Sequence, residues 1–555
     1  NGTVEVASLA VSGTSAINGA SITTTGAQTY TGAVTLGANT TFTANSGSLV
    51  RFGGTVAGSG SPRSLTVATA NSRFDGAVSG NISTVNIAGT STINTATITT
   101  TGTQTYTGAV TLGDDTTFTA NSGSLVRFGG TVAGSGSPRS LTVTTANAQF
   151  DGVVSGNIST VSIAGTSAIN GGSVNTSGNQ TYTGAVTLGA DASLTTTNSD
   201  IIFDSKLDGL HALSLAAGSG DITFGNTVGA TNPLGAITIT SAKDVSFAGD
   251  VEAASFRQNS GTGTTTLNST QVFTGYFEIT GNTLDVNGSL SIGTSFTAGI
   301  VNAGSSTITI GGDFVVTTFN AGTGTVNLSG TGTVSAHSFA TLNITDGTRT
   351  LTGDMTAQTF TSATGTDIAG AHNLIINDNA IFGGAVGSGT ALTTLAVNGT
   401  SAINTTTITT SGDQTYTGAV TLGAGATLSG STVTFTNTVE NASSQTLAIT
   451  GNAVFGNTVG AGTALTSLSV SGTSAINGGS VNTSGDQTYG GAVTLGANTS
   501  LTTTGSNIHL VSTIDSFDSN ARGLTLIAGT GNISFGASVG ATNPLGAIII
   551  TSAKD

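Results

Sequence analysis

The segment Gln28-Thr-Tyr-Thr-Gly-Ala-Val-Thr-Leu-Gly37 recurs at Gln104–Gly113 and Gln180–Gly189, at a constant sequence offset of 76, and returns at Gln414–Gly423 and, with Gly490 in place of the second threonine, at Gln487–Gly496. Within it Val34 and Leu36 form an i, i+2 apolar pair, which places both side chains on one face of a short strand. Working outward, the preceding block Gly13-Thr-Ser-Ala-Ile-Asn18 repeats at Gly89–Asn94, with Thr92 in place of the alanine, and unchanged at Gly165–Asn170, Gly399–Asn404 and Gly472–Asn477. The following stretch, Thr40–Val67, is identical to Thr116–Val143. It adds the pairs Val50/Phe52 and Leu65/Val67, and Leu9/Val11 and Val85/Ile87 keep the same style. Gly, Asn, Ser and Asp separate the pairs, where a chain must turn and φ can be positive. No segment sustains an i, i+3, i+4 pattern, and the strands lie too close together to leave room for helices.

Short strands at regular spacing inside an internal repeat indicate a solenoid. The expected fold is all-β, a right-handed parallel β-helix of about 25–29 coils, with inward residues stacked in columns. The 76-residue unit divides into four turns of about 19 residues, because a β-helix coil takes on the order of 20. At roughly 4.8 Å per coil the rod would be on the order of 120–140 Å long. Val34, Leu36, Phe52 and Val67 are expected in the core. Residues 1–244 form a solenoid with the 76-residue repeat, and residues 371–555 repeat those units. Residues 245–370, where Phe256, Phe296 and Phe319 each precede a Gly-rich turn and strands end near Leu267, Ile308 and Leu328, read as diverged coils of one continuous rod.

A longer copy lies above these. Ser173–Asp244 matches Ser480–Asp555, with Asn232-Pro-Leu-Gly-Ala-Ile237 recurring as Asn543–Ile548. The offset is 307 at Gln180/Gln487 and 311 at Asn232/Asn543. Four residues are therefore inserted between those anchors, and Ser512–Arg522 is the expected place, as a loop bulging from one corner. Asn1–Asn18 reads as the interior of a unit, and Ser552-Ala-Lys-Asp555 matches Ser241-Ala-Lys-Asp244. Neither end shows a cap, so the chain is expected to be a piece of a longer protein, with any targeting segment outside it.

Composition agrees. Of 555 residues 83 are Gly, 7% are charged and 36% are hydrophobic, with no Cys or Trp. That much regularly placed aliphatic and aromatic residue separates the chain from disordered Gly- and Ser-rich sequences. The net charge of −15 with only 11 Lys and Arg, and no basic run, gives no reason to expect nucleic acid or an anionic membrane as partner. The lack of Cys leaves neither a disulfide scaffold nor a thiolate metal site.

The Gly-Thr-Ser-Ala-Ile-Asn and Thr-Gly-Ala-Val-Thr-Leu-Gly blocks, with their suggested 19-residue period, resemble the shafts of filamentous-haemagglutinin-like adhesins and autotransporter passengers of Gram-negative bacteria. The resemblance covers essentially the whole chain and is compositional in kind. It implies export through outer-membrane machinery, a parallel β-helix, and surface attachment or aggregation. An Asn-Pro-x-Gly block is frequent near the start of two-partner-secreted proteins. Asn232-Pro-Leu-Gly235 is similar but lies mid-chain and is duplicated, so it reads as a turn in the shaft.

Polysaccharide lyases and hydrolases also use parallel β-helices, and their sites gather carboxylates on adjacent coils. The densest charged segment here is Asp200–His211, with Asp204, Lys206, Asp208 and His211. Its counterpart holds His509, Asp515, Asp518 and Arg522 in another arrangement. A solvated corner loop is the preferred reading of both. His337 and His372 are expected as exposed lone residues, and no His spacing suggests a transition metal. Gly218-Ser-Gly-Asp221 is an isolated fragment of the calcium nonapeptide pattern, and its equivalent Gly529-Thr-Gly-Asn532 has lost the carboxylate. Arg51, Arg63, Arg127 and Arg139 recur with the unit. Four coils apart, equivalent guanidinium groups would stand roughly 19 Å from each other, with Asp75 and Asp151 as candidate partners and a regularly spaced binding ladder as one use. Thr23/Thr25 and Thr502/Thr504 resemble ice-binding Thr arrays but do not recur on every coil.

The expected function is a structural or adhesive extracellular fibre segment of a large bacterial surface or secreted protein. It has no enzyme activity, cofactor or metal. Expected partners are identical chains, forming a filament or sheath, cell-surface glycans or proteins, and the export machinery. The alternative is a carbohydrate-active β-helix enzyme with converging carboxylates in one copy.

Overall fold

A computed structural model describes residues 4–555. The first three residues of the Asn1–Asn18 stretch therefore lie outside the described residues. Among the described residues there is no helix, 53% are in strands, and the chain winds into about 27 parallel turns. The fold is the expected parallel β-solenoid. Two compact units divide the chain, Asn1–Ser291 and Ile292–Asp555.

In the first unit each turn has three faces. A first-face ladder runs through Ser21–Thr24, Thr40–Thr43, Arg63–Val67, Ile82–Ile87 and Gln104–Tyr106. The second holds Leu9–Val11, Gln28–Tyr30, Leu49–Phe52, Asn71–Phe74 and Ser91–Ile93. The third holds Ser15–Ile17, Val34–Leu36, Val56–Gly58, the isolated bridge at Val78, Thr97–Thr99, Thr116–Thr119, Arg139–Thr144, Ile158–Ile163 and Gln180–Tyr182. Alternation decides which side chains enter. Val50 and Phe52 are fully buried while Arg51 between them points out. Val34, Leu36 and Val67 are buried as expected.

The 76-residue unit is not four turns of 19. From Gln28 to Gln104 the chain passes ten further strands and the Val78 bridge, eleven positions on a three-faced coil. The unit therefore makes three turns and two-thirds, so each turn is on average longer than a four-turn division requires. Gln28 lies on the second face, Gln104 on the first and Gln180 on the third. Turn length varies because corners absorb residues. Tyr30, Phe52 and Phe74 stack at 22-residue intervals, whereas Phe42 to Val67 takes 25. The longer path contains two turns with positive-φ glycines, Gly47 (φ +81°) and Gly60 (φ +72°), a conformation glycine adopts without a Cβ penalty, whereas each 22-residue path contains one of them.

Each copy of the unit thus builds its own aromatic stack on a different face. Tyr30–Phe52–Phe74 stack at 5.7 and 5.2 Å, Tyr106–Phe128–Phe150 at 5.7 and 5.4 Å, and Tyr182–Phe203–Phe224–Phe247 at 5.4, 5.3 and 4.4 Å. Burial of one such ring stabilises by about 1.5–3 kcal/mol before ordering costs. Beside the stack one corner is so tight that a Cβ on Gly54 or Gly76 would fall 2.6 or 2.4 Å from the backbone of the turn before. Stacked glycines are the only solution there.

The second unit follows the same rules. Leu374–Ile376, Leu395–Val397 and Gln414–Tyr416 stack in register, and Gln414 pairs onward with Val433. Ala426–Phe435 and Thr446–Phe455 are single strands of ten residues that bend round a corner, so each spans two faces. Tyr416, Phe435 and Phe455 continue the aromatic theme at 5.4 and 5.8 Å. Gln487 lies over Leu468, on a different ladder from Gln414, so this repeat also changes face.

The four-residue insertion falls where expected. Val186 pairs with Leu207 and Ala192 with Leu213, both at an offset of 21. In the later copy Val493 pairs with Ile514 at the same offset, but Thr499 pairs with Leu524 at an offset of 25. The extra residues lie between Ile514 and Leu524, where they leave Phe517 exposed.

Candidate functional site

The acidic segment does not gather its carboxylates. Asp208, the most buried of them, accepts the backbone N–H groups of Thr231 (3.0 Å) and Asn232 (3.5 Å) and meets Lys206 Nζ at 3.5 Å. It fastens the Asn-Pro-Leu-Gly corner. Asp515 does the same for Thr542 and Asn543, at 2.8 and 3.2 Å. His211 Nδ1 faces Asp191 Oδ1 at 3.6 Å, and that oxygen accepts Ala212 N–H. In the later copy His509 bonds Ser534, and Arg522 reaches Asp518 at 3.4 Å. Each of these side chains has a local polar partner, and Asp204 is exposed. The first Asn-Pro-Leu-Gly block is only in part a corner: the chain bends at Asn232, but Leu234 and Gly235 already open the strand Leu234–Ser241.

A wider rule emerges from these corners. Asn179 Oδ1 accepts Asp200 N–H, Asp200 accepts Asp221 N–H, Asp221 accepts Asp244 N–H, and Asp244 accepts Thr264 N–H, at 2.8–3.2 Å. Side chains of Asp and Asn at one corner thus tie each turn to the next. Lys243 sits 2.7 Å from Asp244 and 3.8 Å from Asp221. Asp221, the acidic residue of the partial calcium pattern, belongs to this ladder. Among the described residues no group of three or more His, Asp or Glu is placed to hold a metal.

Two of the four recurring arginines, Arg51 and Arg127, form ion pairs, though not on one face, whereas the buried Nε atoms of Arg63 and Arg139 have no hydrogen-bond partner among the described residues. Arg51 Nε lies 2.7 Å from Asp75 Oδ2, and Arg127 Nε 2.6 Å from Asp151 Oδ2. Arg51 is on the second face and Arg127 on the first, so the expected regular spacing along a single face is wrong. Arg73 makes a second ion pair with Asp75 at 2.8 Å, and Asn94 Nδ2 adds a hydrogen bond at 2.7 Å. Burial raises the Asp75 carboxyl, but hydrogen bonds from Arg73, Asn94 and Arg51 outweigh it and leave its pKa below the ordinary value. In the next copy Gln149 and Asn170 take the places of Arg73 and Asn94 at Asp151, with the same outcome.

Three polar features were not anticipated. Gln28, Gln104, Gln180, Gln414 and Gln487 are fully buried. Each Nε2 donates to carbonyls of stacked turns, and each Oε1 accepts from the Tyr two residues on, as in Gln104 with Thr119 O (2.9 Å), Ile98 O (3.2 Å) and Tyr106 Oη (3.2 Å). Even spacing of Gln and Tyr, both inward by alternation, was the available signal. Arg349 also points inward, fully buried, and donates to the carbonyls of Gly312, Ile310 (2.9 Å) and Ser329 (2.6 Å). Burial pushes its pKa down to about 10, against a small opposing effect of Asp313. His337, expected to be exposed, is half-buried among Phe314, Phe319 and Phe339, at ring separations of 5.3, 5.9 and 6.2 Å. Its Nε2 meets Ser335 Oγ at 2.8 Å, and desolvation lowers its pKa. His372, also expected to be exposed, is likewise half-buried and lies 3.7 Å from Asp354.

Surface hollows are shallow and poor in titratable groups. One of about 510 Å³ is bordered by Glu5 and Thr23–Thr25. Another, of about 320 Å³, runs over Gly172, Asp191, Ser193, Ser214 and Thr238, and the later copy repeats it at about 290 Å³ over Gly479, Asn498, Ser500, Thr525 and Ile549. None of these three is lined by more than one carboxylate. No protein-family model, curated protein or solved structure matches this chain.

Proposed function

We propose that the chain is a non-catalytic structural and adhesive segment of an extracellular bacterial fibre. Its surface partners would be identical chains or cell-surface glycans and proteins, and it would reach the cell exterior through outer-membrane export machinery. The observation that carries this reading is the use made of the polar residues. Aspartates and asparagines at the corners act as acceptors for the backbone of the next turn, and buried glutamines bridge stacked turns. Such a chain commits its polar chemistry to cohesion between turns, and stability grows with stacking. Electron microscopy of the purified chain, with limited proteolysis, tests the reading. Protease-resistant rods, joined end to end or side by side when concentrated, are the expected result. Globular particles, or cleavage of any member of a polysaccharide panel, would overturn it.

A further inference from the structure

We infer that the Arg51–Arg73 pair is a binding site for an oxyanion group, a carboxylate or sulfate ester, carried on a polysaccharide. Arg51 and Arg73 are directly in register on neighbouring second-face strands, so their backbones stand about 4.8 Å apart. Both use Nε to grip the two oxygens of the single carboxylate of Asp75, at 2.7 and 2.8 Å. The cluster therefore keeps one net positive charge. Their Nη atoms make no hydrogen bond to a described residue, and each arginine side chain is 43% exposed. Guanidinium presents a planar fork of donors suited to bidentate oxyanion binding. Asp75, itself mostly buried and held by Asn94, fixes both forks facing outward.

The surroundings favour a sugar chain as the carrier. Thr29 precedes Arg51 in the same outward column and Thr92 follows Arg73. The column thus reads hydroxyl, guanidinium, guanidinium, hydroxyl, at a spacing close to the length of one pyranose ring. An extended saccharide with one acidic group among many hydroxyls matches it. A nucleic acid would need a basic run and stacking aromatics, whereas this chain has 11 basic residues and a net charge of −15.

The next repeat supplies an internal control. Arg127, Asp151 and Asn170 reproduce the geometry, but Gln149 stands in register where Arg73 would be. Charge there is neutral, and only one guanidinium faces outward. The site is thus a property of one copy, in which Arg73 and Thr92 stand where the next repeat has Gln149 and Ala168.

This inference deepens the adhesive reading and rests on it for the kind of partner. Its test is isothermal titration of the whole chain with three tetrasaccharides: oligogalacturonate, a carboxylate-free sulfated galactan fragment and neutral maltotetraose. Either acidic probe should bind at one site, the stronger identifying carboxylate or sulfate as the preferred group, and the neutral probe should bind at least about tenfold more weakly. Arg73→Gln, which copies the natural arrangement at Gln149, should reduce acidic binding at least about tenfold with unchanged melting. Gln149→Arg should add a second site. Undiminished binding by Arg73→Gln, or equal binding of maltotetraose, would overturn the site while leaving the rod and its protease resistance untouched. Tighter binding of a short single-stranded oligodeoxynucleotide would reassign it to phosphate and overturn the saccharide.

Discussion

Tyr106 Oη donates to Gln104 Oε1 at 3.2 Å inside the solenoid, where both side chains are wholly removed from water. Burial drives the phenol pKa far above its ordinary value, so the proton stays in this bond at any working pH. The same pair recurs at Gln28/Tyr30, Gln180/Tyr182, Gln414/Tyr416 and Gln487/Tyr489. Orphaning a buried polar group costs about 1–3 kcal/mol. Gln104→Ala should therefore destabilise by about 2–4 kcal/mol, since it leaves a cavity and an unpaired hydroxyl. The double variant with Tyr106→Phe should cost clearly less than the two single changes added together. Strict additivity in a thermal-melting cycle would show that the pair is not coupled.

Replacing Phe52 by Asp puts a carboxylate between Tyr30 and Phe74, its stacking partners at 5.7 and 5.2 Å. We expect hydrogen-exchange protection to collapse over the adjoining turns, while the Tyr106–Phe128–Phe150 stack keeps its protection. Unchanged protection and protease resistance would contradict the core assignment.

Arg349 separates shape from charge. Met can fill its channel without a buried cation, so Arg349→Met should melt within about 1 kcal/mol of the parent. Arg349→Ala should lose about 2 kcal/mol or more by cavity formation. Equal losses in the two variants would mean that the three carbonyl contacts, not packing, hold this turn.

Acid should act in two stages. The folded-state pKa of His337 lies below 6.5 because its ring is desolvated, so the unfolded chain binds that proton first. Its contribution is full above pH 6.5 and is lost as pH falls from there toward the folded value. Asp75 and Asp151 have pKa values lowered from 3.8. Their contribution is full above that value and lost as pH falls through the lower folded-state pKa. Amide protection near Val334–Phe339, corrected for the intrinsic exchange rate, should fall as pH drops below 6.5, and His337→Phe should remove that stage alone. Persistence of the upper stage in the variant would place its origin elsewhere.

Much of this fold was readable in advance because alternation is local. Val50/Phe52 and Leu65/Val67 declare their faces at once, and the insertion before Leu524 follows from two offsets. Coil length is not local. It depends on how many residues each corner absorbs, and the Ala44–Ser48 loop is free to lengthen a turn without altering the strand pattern. Dividing the repeat by four assumed that it closes on whole turns, which nothing in the stacking requires. For the same reason the recurring arginines misled. Identical residues in successive units face different ways, and the informative neighbour of Arg51 is Arg73, not Arg127. Arg349 and His337 were hidden by their type, since inward parity outranked the usual preference of polar residues for water.

The central claim, that the unit makes three turns and two-thirds, is tested most directly by disulfide trapping in this cysteine-free chain. Thr41 and Thr66 are outward and in register on adjacent strands, whereas a uniform 19-residue coil would set Gly60 beside Thr41. At adjacent-strand separation the Cα atoms lie within the reach of a disulfide. The variant Thr41→Cys/Thr66→Cys should cross-link readily on mild oxidation, and Thr41→Cys/Gly60→Cys should not. The reverse outcome would contradict the winding described here.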